Sequence, residues 1–299
     1  KLLIPGVSYV AAIAAAVNAR LNGTDIVIGR NLRPCFFAAL LRQKVIYETH
    51  QPLKDMPWLD RVFFHVLTKS KFCIGVVTIS KPLAEILNRE LNFDSTPLIV
   101  VGDAANPVKT GQPLALNSLF RLHIGYIGSL YEGRGIDMIL DMARALPDFC
   151  FNIVGGHEHD IKYWSDHTDT PKNVVFHGFL SAPSAEKIRC ACDILIAPYQ
   201  QNTKVPGGTN TARWMSPMKL FEYMAAGKPI ICSDFPVLHE ILEHEKTALF
   251  VKPSDHKAWI SALTYLYCNP QVAKNLGKNA LLRHRKMGTW TARCRIILD

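Results

Sequence analysis

Short runs of β-branched and other apolar residues alternate with helical patterns along almost the whole chain, and no feature constrains its fold more. Strands separated by helices cannot pair as simple hairpins, so the pattern demands βαβ units and parallel sheets. In the first part, strands are expected at 25–29, 45–48, 75–79 and 98–101. Helices are expected at 34–41, 58–69 and 82–91, the last with Ser80 as N-cap candidate and Pro82 in its first turn.

The stretch 102–118 breaks this rhythm: it contains Pro107, Gly111 and Pro113 and has no clear period. A crossing between lobes reads this way. From 122 the alternation resumes, with strands at 122–127, 149–154, 174–176, 194–197, 229–232 and 248–251, helices at 136–146, 184–191 and 217–226, and a helical tail from Asp255. A length of 299 residues also exceeds what one hydrophobic core usually serves. The expected fold is therefore α/β, with two Rossmann-like lobes whose parallel sheets face each other across a cleft, the first lobe incomplete. The lobes are placed at 1–112 and 113–283, with a C-terminal helix at 284–299 returning to the first. Ligands of open parallel sheets sit beyond the carboxyl ends of the strands, which directs attention to the strand-to-helix loops.

Composition removes several function classes. The net charge of +9 is spread along the chain, and its densest point is Arg283-His284-Arg285-Lys286. No aromatic–basic interleaving accompanies it, so a nucleic-acid partner is not expected; a solvated helix face or contact with an anionic membrane accounts for such a run. Eight cysteines are too sparse for a disulfide framework, and Cys190-x-Cys192 has no second pair to complete a zinc site. Free thiols and a cytoplasmic location follow as expectations, with peripheral contact at the inner membrane face as a secondary one. The apolar run 7–17 falls short of the roughly 20 residues that span a bilayer and reads as a buried helix.

Three segments carry candidate chemistry. In the first, Ser216 and Pro217 open a short helix that Gly227 and Pro229 close. Its first turn should present the backbone N–H groups of Met218, Lys219 and Leu220 together with the positive end of the helix dipole, a site for a diphosphate. Glu222, one turn on, can accept from two ribose hydroxyls, or is a surface carboxylate on an ordinary amphipathic helix. The second segment, 125–135, is glycine-rich and sits between a strand and a helix: Gly128 and Ser129 allow close backbone approach and Arg134 offers a planar fork to phosphate, or the glycines serve only the turn. The third, Glu48-Thr49-His50-Gln51-Pro52, ends a strand of the first lobe, where His50 either orients an acceptor hydroxyl or is structural.

Together, in this order and with Val175-Phe176-His177-Gly178-Phe179 between them, these segments resemble glycosyltransferase family 4 of the GT-B type. The most specific part is Ser-Pro-x-Lys-x-x-Glu-Tyr-Met-Ala-x-Gly-Lys-Pro at 216–229; the resemblance covers 122–270 well and 45–107 more loosely. It implies retaining transfer of a hexose-like unit from a UDP- or GDP-sugar to a carbohydrate or lipid-linked acceptor, without a metal or other cofactor. Carried over, Arg134 matches the loop's Lys and Glu222 the ribose-binding Glu, while Arg134, Lys219 and His50 are the residues expected to act in transfer. Gly178, Phe179, Trp214 and Ser216 are expected around the nucleobase or sugar, and Glu240, after Asp234, matches a further family Glu. Ser129 replaces the family's Arg, and Trp214 the first Glu of its Glu-x7-Glu pair. The family's opening strand and glycine-rich loop are expected to be missing before Lys1. A nonhydrolysing sugar-nucleotide epimerase and an inactive donor-binding remnant are the alternatives of the same fold.

Overall fold

The computed structural model describes residues 7–91, 93, 96–109, 114–116, 118–166, 169–203 and 208–299. Gly111 and Pro113 of the expected crossing, and Lys1 to Gly6, lie outside the described residues. Two compact units are present: Lys1–Gly102 with Ile296–Asp299, and Asp103–Arg295. The division falls at 102 and not at 112 because Asp103 is already tied into the second unit. Its N–H donates to Ser216 Oγ at 2.8 Å, and two residues on the Ala105 N–H donates to the Gly288 carbonyl at 2.9 Å.

The first unit holds a parallel sheet in the order β1 (Ile26–Gly29), β2 (Lys44–Thr49), β3 (Cys73–Thr78), β4 (Leu98–Val100). Helix α1 (Val7–Leu21) precedes it, and α2 (Leu32–Leu40), α3 (Trp58–Thr68) and α4 (Lys81–Glu90) connect its strands. The expected N-cap of α4 is present, since Ser80 Oγ accepts from the Leu83 N–H. Helix α1 corrects an expectation. It forms, but among its described side chains only Ala12 and Ala16, one turn apart, are buried, while Val10 is 68% and Leu21 80% exposed. An alanine-rich apolar run shows that a helix is affordable there; which face finds a partner is a matter of packing.

The second unit holds six parallel strands in the order β10-β9-β8-β5-β6-β7. They are β5 (Leu122–Ile127), β6 (Phe149–Val154), β7 (Val174–Gly178), β8 (Ile194–Ala197), β9 (Ile230–Ser233) and β10 (Leu249–Val251). Around them lie α5 (Ile136–Ala145), α6 (Glu158–Asp166), α7 (Ala182–Ala191), α8 (Met218–Ala226), α9 (His256–Cys268), α10 (Pro270–Arg283) and α11 (Trp290–Leu298), whose last residues count with the first unit. Side chains of β8 alternate between two cores: Ile194 and Ile196 meet Ile139 and Trp259 on one face, and Leu195 and Ala197 meet Tyr223 and Met224 on the other. Each large apolar side chain so enclosed contributes about 1.5–3 kcal/mol. Helix α6 has no fully buried residue; Ile161 and Trp164, one turn apart, are half-buried against the core, a stripe too short for a sequence to announce.

The basic run near the C-terminus is not a uniformly solvated face. Arg283 donates to the carbonyls of Ile241 and Glu240 and to the Glu243 carboxylate, and His284, buried, contacts the Ala105 carbonyl through Nε2 at 3.1 Å. Only Arg285 and Lys286 of the four are exposed. All eight cysteines are free thiols, as expected. Burial pushes Cys192 up to about 12, which leaves it an inert core thiol.

Helix α10 crosses the C-terminus of α8 at Gly277, where an added Cβ would collide with the Gly227 carbonyl oxygen and lie 3.0 Å from its carbon. Gly277→Ala is expected to destabilise the second unit by about 1–3 kcal/mol, the usual cost of overpacking a close contact. The check is a lowered urea midpoint at unchanged m-value; an unaltered midpoint would show that the two helices have room to part.

Candidate functional site

In the second unit the strand order reverses between β5 and β8: β6 and β7 extend the sheet one way, β9 and β10 the other. Loops leaving β5 and β8 therefore diverge to opposite faces and open a crevice at the carboxyl ends. The two strands pair only at Ile124↔Ile194 and Gly125↔Leu195. Beyond that point their backbones would face each other unbonded, and Tyr223 of α8 closes the gap. Its hydroxyl accepts from the Ile127 N–H at 2.8 Å and reaches the Ile196 carbonyl at 3.3 Å. A single phenol thus sets α8 against both strands from which the site loops depart.

The start of α8 is built differently from its sequence signature. Pro217, not Ser216, occupies the N-cap position, and no side chain caps the helix. Ser216, buried, spends its hydroxyl on the Asp103 N–H. Of the three amides expected to be open, that of Leu220 donates to the Pro217 carbonyl at 3.0 Å. Those of Met218 and Lys219 make no hydrogen bond among the described residues. Two donors at the positive end of α8 remain for an anion.

Two cations stand beside them. Lys219 Nζ is sealed from solvent without a hydrogen-bond partner and lies 3.9 Å from the centre of the Tyr126 ring and 5.0 Å from that of Tyr199. The Arg134 guanidinium lies 5.4 Å from the Tyr199 ring centre, and its Nε is likewise buried and unbonded. Burial above all, then the positive charge of Arg134, holds the Lys219 ammonium well below the usual lysine range; Glu222 opposes this only in part. Ring faces soften the isolation of the ammonium, but they are no substitute for a counter-ion. Gly128 brings the loop backbone close over the lysine, where a Cβ would lie 2.6 Å from Lys219 Nζ and displace it. Gly135 is needed for the loop, because its φ is +77° and a Cβ would collide with the Pro198 carbonyl. The Ser129 carbonyl accepts from the Tyr126 hydroxyl at 2.6 Å, which pins the loop over the lysine.

Glu222 accepts from Arg189 Nη1 at 3.0 Å. Arg189, on α7, is buried and also lies 3.7 Å from Glu186, so Glu222 is half of an ion pair as well as the carboxylate nearest the α8 turn. The sequence offered only the i,i+3 spacing of Glu186 and Arg189 as a hint, since the partner sits on another helix. A pocket of about 290 Å³ lies beyond Gly128 and Ser129, lined by Gly155, Gly156, His157 and Phe179. Phe179, after Gly178 at φ +70°, is 75% exposed and stacks on His157 with ring centres 5.9 Å apart and planes within 20°. His157 went unnoticed in the sequence, although Gly155-Gly156 at the end of a strand marks a close approach.

Other expected residues take quieter places. Trp214 is buried and packs within the loop before α8. Asp234 is held by His239 Nε2 at 2.7 Å, and the Glu240 carbonyl accepts from Arg283. His50 belongs to the first unit, at the end of β2. Its Nε2 lies 2.7 Å from Glu48 Oε1, a buried carboxylate that Arg30 pairs with at 2.9 Å.

Residues 121–269 match the family described as glycosyl transferases group 1. Over 213 residues the chain is 34% identical to the O-antigen chain mannosyltransferase RfbU of Salmonella typhimurium, an alignment covering 69% of this chain and 55% of that protein. The chain spans about half the length of the curated relatives it matches. Among solved structures, sucrose-phosphate synthase from Thermosynechococcus elongatus superposes with a TM-score of 0.72 at 18% identity, covering 96% of this chain and 75% of that one. HepE of Anabaena, in complex with UDP-glucose, superposes with a TM-score of 0.70 at 16% identity, covering 95% and 80%. Likenesses at such identities speak for the fold alone, and that fold is GT-B. Through its second unit, the chain belongs to the group 1 glycosyl transferases.

Proposed function

We propose that this protein is a retaining glycosyltransferase that moves a hexose-like unit from a uridine or guanosine diphosphate carrier to a carbohydrate or lipid-linked acceptor, as a family-4 enzyme would. One observation carries the reading: the buried, unpartnered Lys219 ammonium beside Arg134 and the two open amides of α8. Such a constellation is costly unless an anion completes it. A diphosphate fits because its charge spans the short distance from a helix N-terminus to a lysine and an arginine.

In this reading Glu222 accepts from the ribose hydroxyls while Arg189 holds it, and the Phe179–His157 stack receives the nucleobase. The UDP-glucose bound by HepE makes uridine the first base to test. As the bond from the anomeric carbon to the diphosphate oxygen breaks, negative charge grows on that oxygen where Lys219, Arg134 and the α8 amides are already oriented. The acceptor hydroxyl forms the new bond on the face the leaving group vacates, and its proton passes to the leaving phosphate. No metal and no protein nucleophile are required. His50, oriented by Glu48, is assigned to the acceptor side. Arg283 and His284 turn inward, so only Arg285 and Lys286 of the basic run near the C-terminus are exposed.

Calorimetric titration with UDP and with GDP tests this reading. Saturable binding of one nucleotide is expected, weakened about tenfold or more in Glu222→Gln by loss of a charge-assisted hydrogen bond. Affinity for neither nucleotide would sink the donor-site assignment.

A second measurement reads Lys219 directly. With its affinity for protons lowered by burial and by Arg134, Lys219 in the free site gives up its proton more readily than an exposed lysine, and a bound diphosphate is expected to strengthen its hold on that proton. UDP binding near neutral pH should therefore take up protons, seen as an apparent enthalpy that varies with the ionisation enthalpy of the buffer. Lys219→Met should abolish that dependence. It should also leave the ligand-free protein at least as stable near neutral pH, because a lysine whose folded pKa is depressed withdraws stability below its unfolded pKa. Buffer-independent enthalpy in the wild type would show that Lys219 is charged before ligand arrives.

A further inference from the structure

A second and larger cavity, of about 1070 Å³, lies in the second unit between the β5–α5 loop, α6 and the segment after β8. It sits at the top of the roughly 300–1,000 Å³ range of small-molecule pockets, room for more than one sugar ring. Nothing in the donor-site argument uses it, although Tyr131 and Asp160 line both cavities.

Its walls combine aromatic faces with hydrogen-bond acceptors. Tyr131 is 39% and Tyr163 55% exposed. Tyr163 stands perpendicular to Trp164 with ring centres 5.2 Å apart, and the Trp164 indole N–H donates to the Leu130 carbonyl at 3.3 Å, so the pair is fixed to the loop. Asp137, in the first turn of α5, has no partner among the described residues. Gln200 donates its amide nitrogen to the Pro198 carbonyl at 2.9 Å, which leaves its oxygen as an acceptor.

Charge narrows the ligand class. The described lining carries the carboxylates of Glu132, Asp137 and Asp160 against one histidine, His159, in a chain that is otherwise basic. An anionic ligand is repelled here, and a purely apolar one leaves Asp137 and Gln200 unsatisfied. A neutral polyhydroxyl chain meets both demands. The C–H faces of a pyranose lie against aromatic rings, and its hydroxyls donate to carboxylate and amide oxygens.

We propose that this cavity is a carbohydrate-binding subsite that holds sugar units of a neutral oligosaccharide beside the donor pocket, with Tyr131 and Tyr163 as platforms and Asp137 and Gln200 as hydroxyl acceptors. The inference rests on the glycosyltransferase reading for its purpose, since holding earlier units of a glycan raises the effective concentration of its growing end. Its binding chemistry stands on the cavity alone.

Maltohexaose, mannohexaose and chitohexaose are titrated separately into the intact chain, by calorimetry and by saturation-transfer NMR, with UDP as a parallel ligand and hexagalacturonate as the anionic control. At least one neutral hexasaccharide is expected to bind saturably, with ring protons in contact. Tyr163→Ala and Asp137→Asn are each expected to weaken it about tenfold, the loss of one stacking platform or one charged acceptor, while UDP affinity stays unchanged. Binding of no neutral hexasaccharide, binding unaltered in both variants, or preference for hexagalacturonate would overturn the proposal. Hexasaccharide binding lost in the variants of a protein that takes up no nucleotide would uphold the subsite and overturn the donor site, so the two failures are told apart.

Discussion

Much of the second unit's architecture turns on one hydroxyl. Where β5 and β8 part at the reversal of strand order, the Ile127 N–H and the Ile196 carbonyl would both be buried without partners, and Tyr223 satisfies them together. Because that tyrosine lies on α8, the same bonds that close the sheet also fix the helix whose N-terminus faces the crevice. The site is thus a by-product of sheet satisfaction: the gap that opens a ligand crevice in an open α/β sheet is the gap that needs a polar tether.

Around the tether the charges are arranged with little waste. Arg189, buried on α7, has Glu222 and Glu186 for company, so one buried cation is neutralised. Lys219 lies over the rings of Tyr126 and Tyr199 and Arg134 over that of Tyr199, with the Glu222 charge offsetting only part of the cost at Lys219. Buried cations thus occupy two environments in one unit, one paired with carboxylates and one set against aromatic rings. The aromatic rings serve both ends: they are core residues by burial, and their faces soften the isolation of a buried ammonium.

Several elements were legible because their causes are local. The runs at 122–127, 149–154 and 194–197 fell within their observed strands, since strands buried on both faces read as unbroken apolar runs. The Ser80 cap and the Gly227 stop are likewise written in a few adjacent residues. Helix α6, whose apolar side is little more than Ile161 and Trp164 among charged neighbours, was invisible for the converse reason. The buried-helix expectation for α1 failed because apolar composition states what is suited to burial, while the availability of a neighbour decides what is buried. Arg283 and His284 turned inward against the same logic, since distant carbonyls of Ile241 and Ala105 awaited donors.

By itself the sequence determined the parallel α/β class, the short helix at α8, the glycine-rich loop before α5 and the identity of Arg134, Lys219 and Glu222 as its polar residues. Each of these depends on the order of neighbours along the chain, and order is what a sequence records. Tertiary structure alone decided that Ser216 serves Asp103, that Glu222 is shared with Arg189, and that Lys219 is left without a partner over Tyr126. Whether a donor is open or a charge is paired depends on atoms brought close by packing from 33 to 113 residues away along the chain, and the linear pattern carries no measure of that distance.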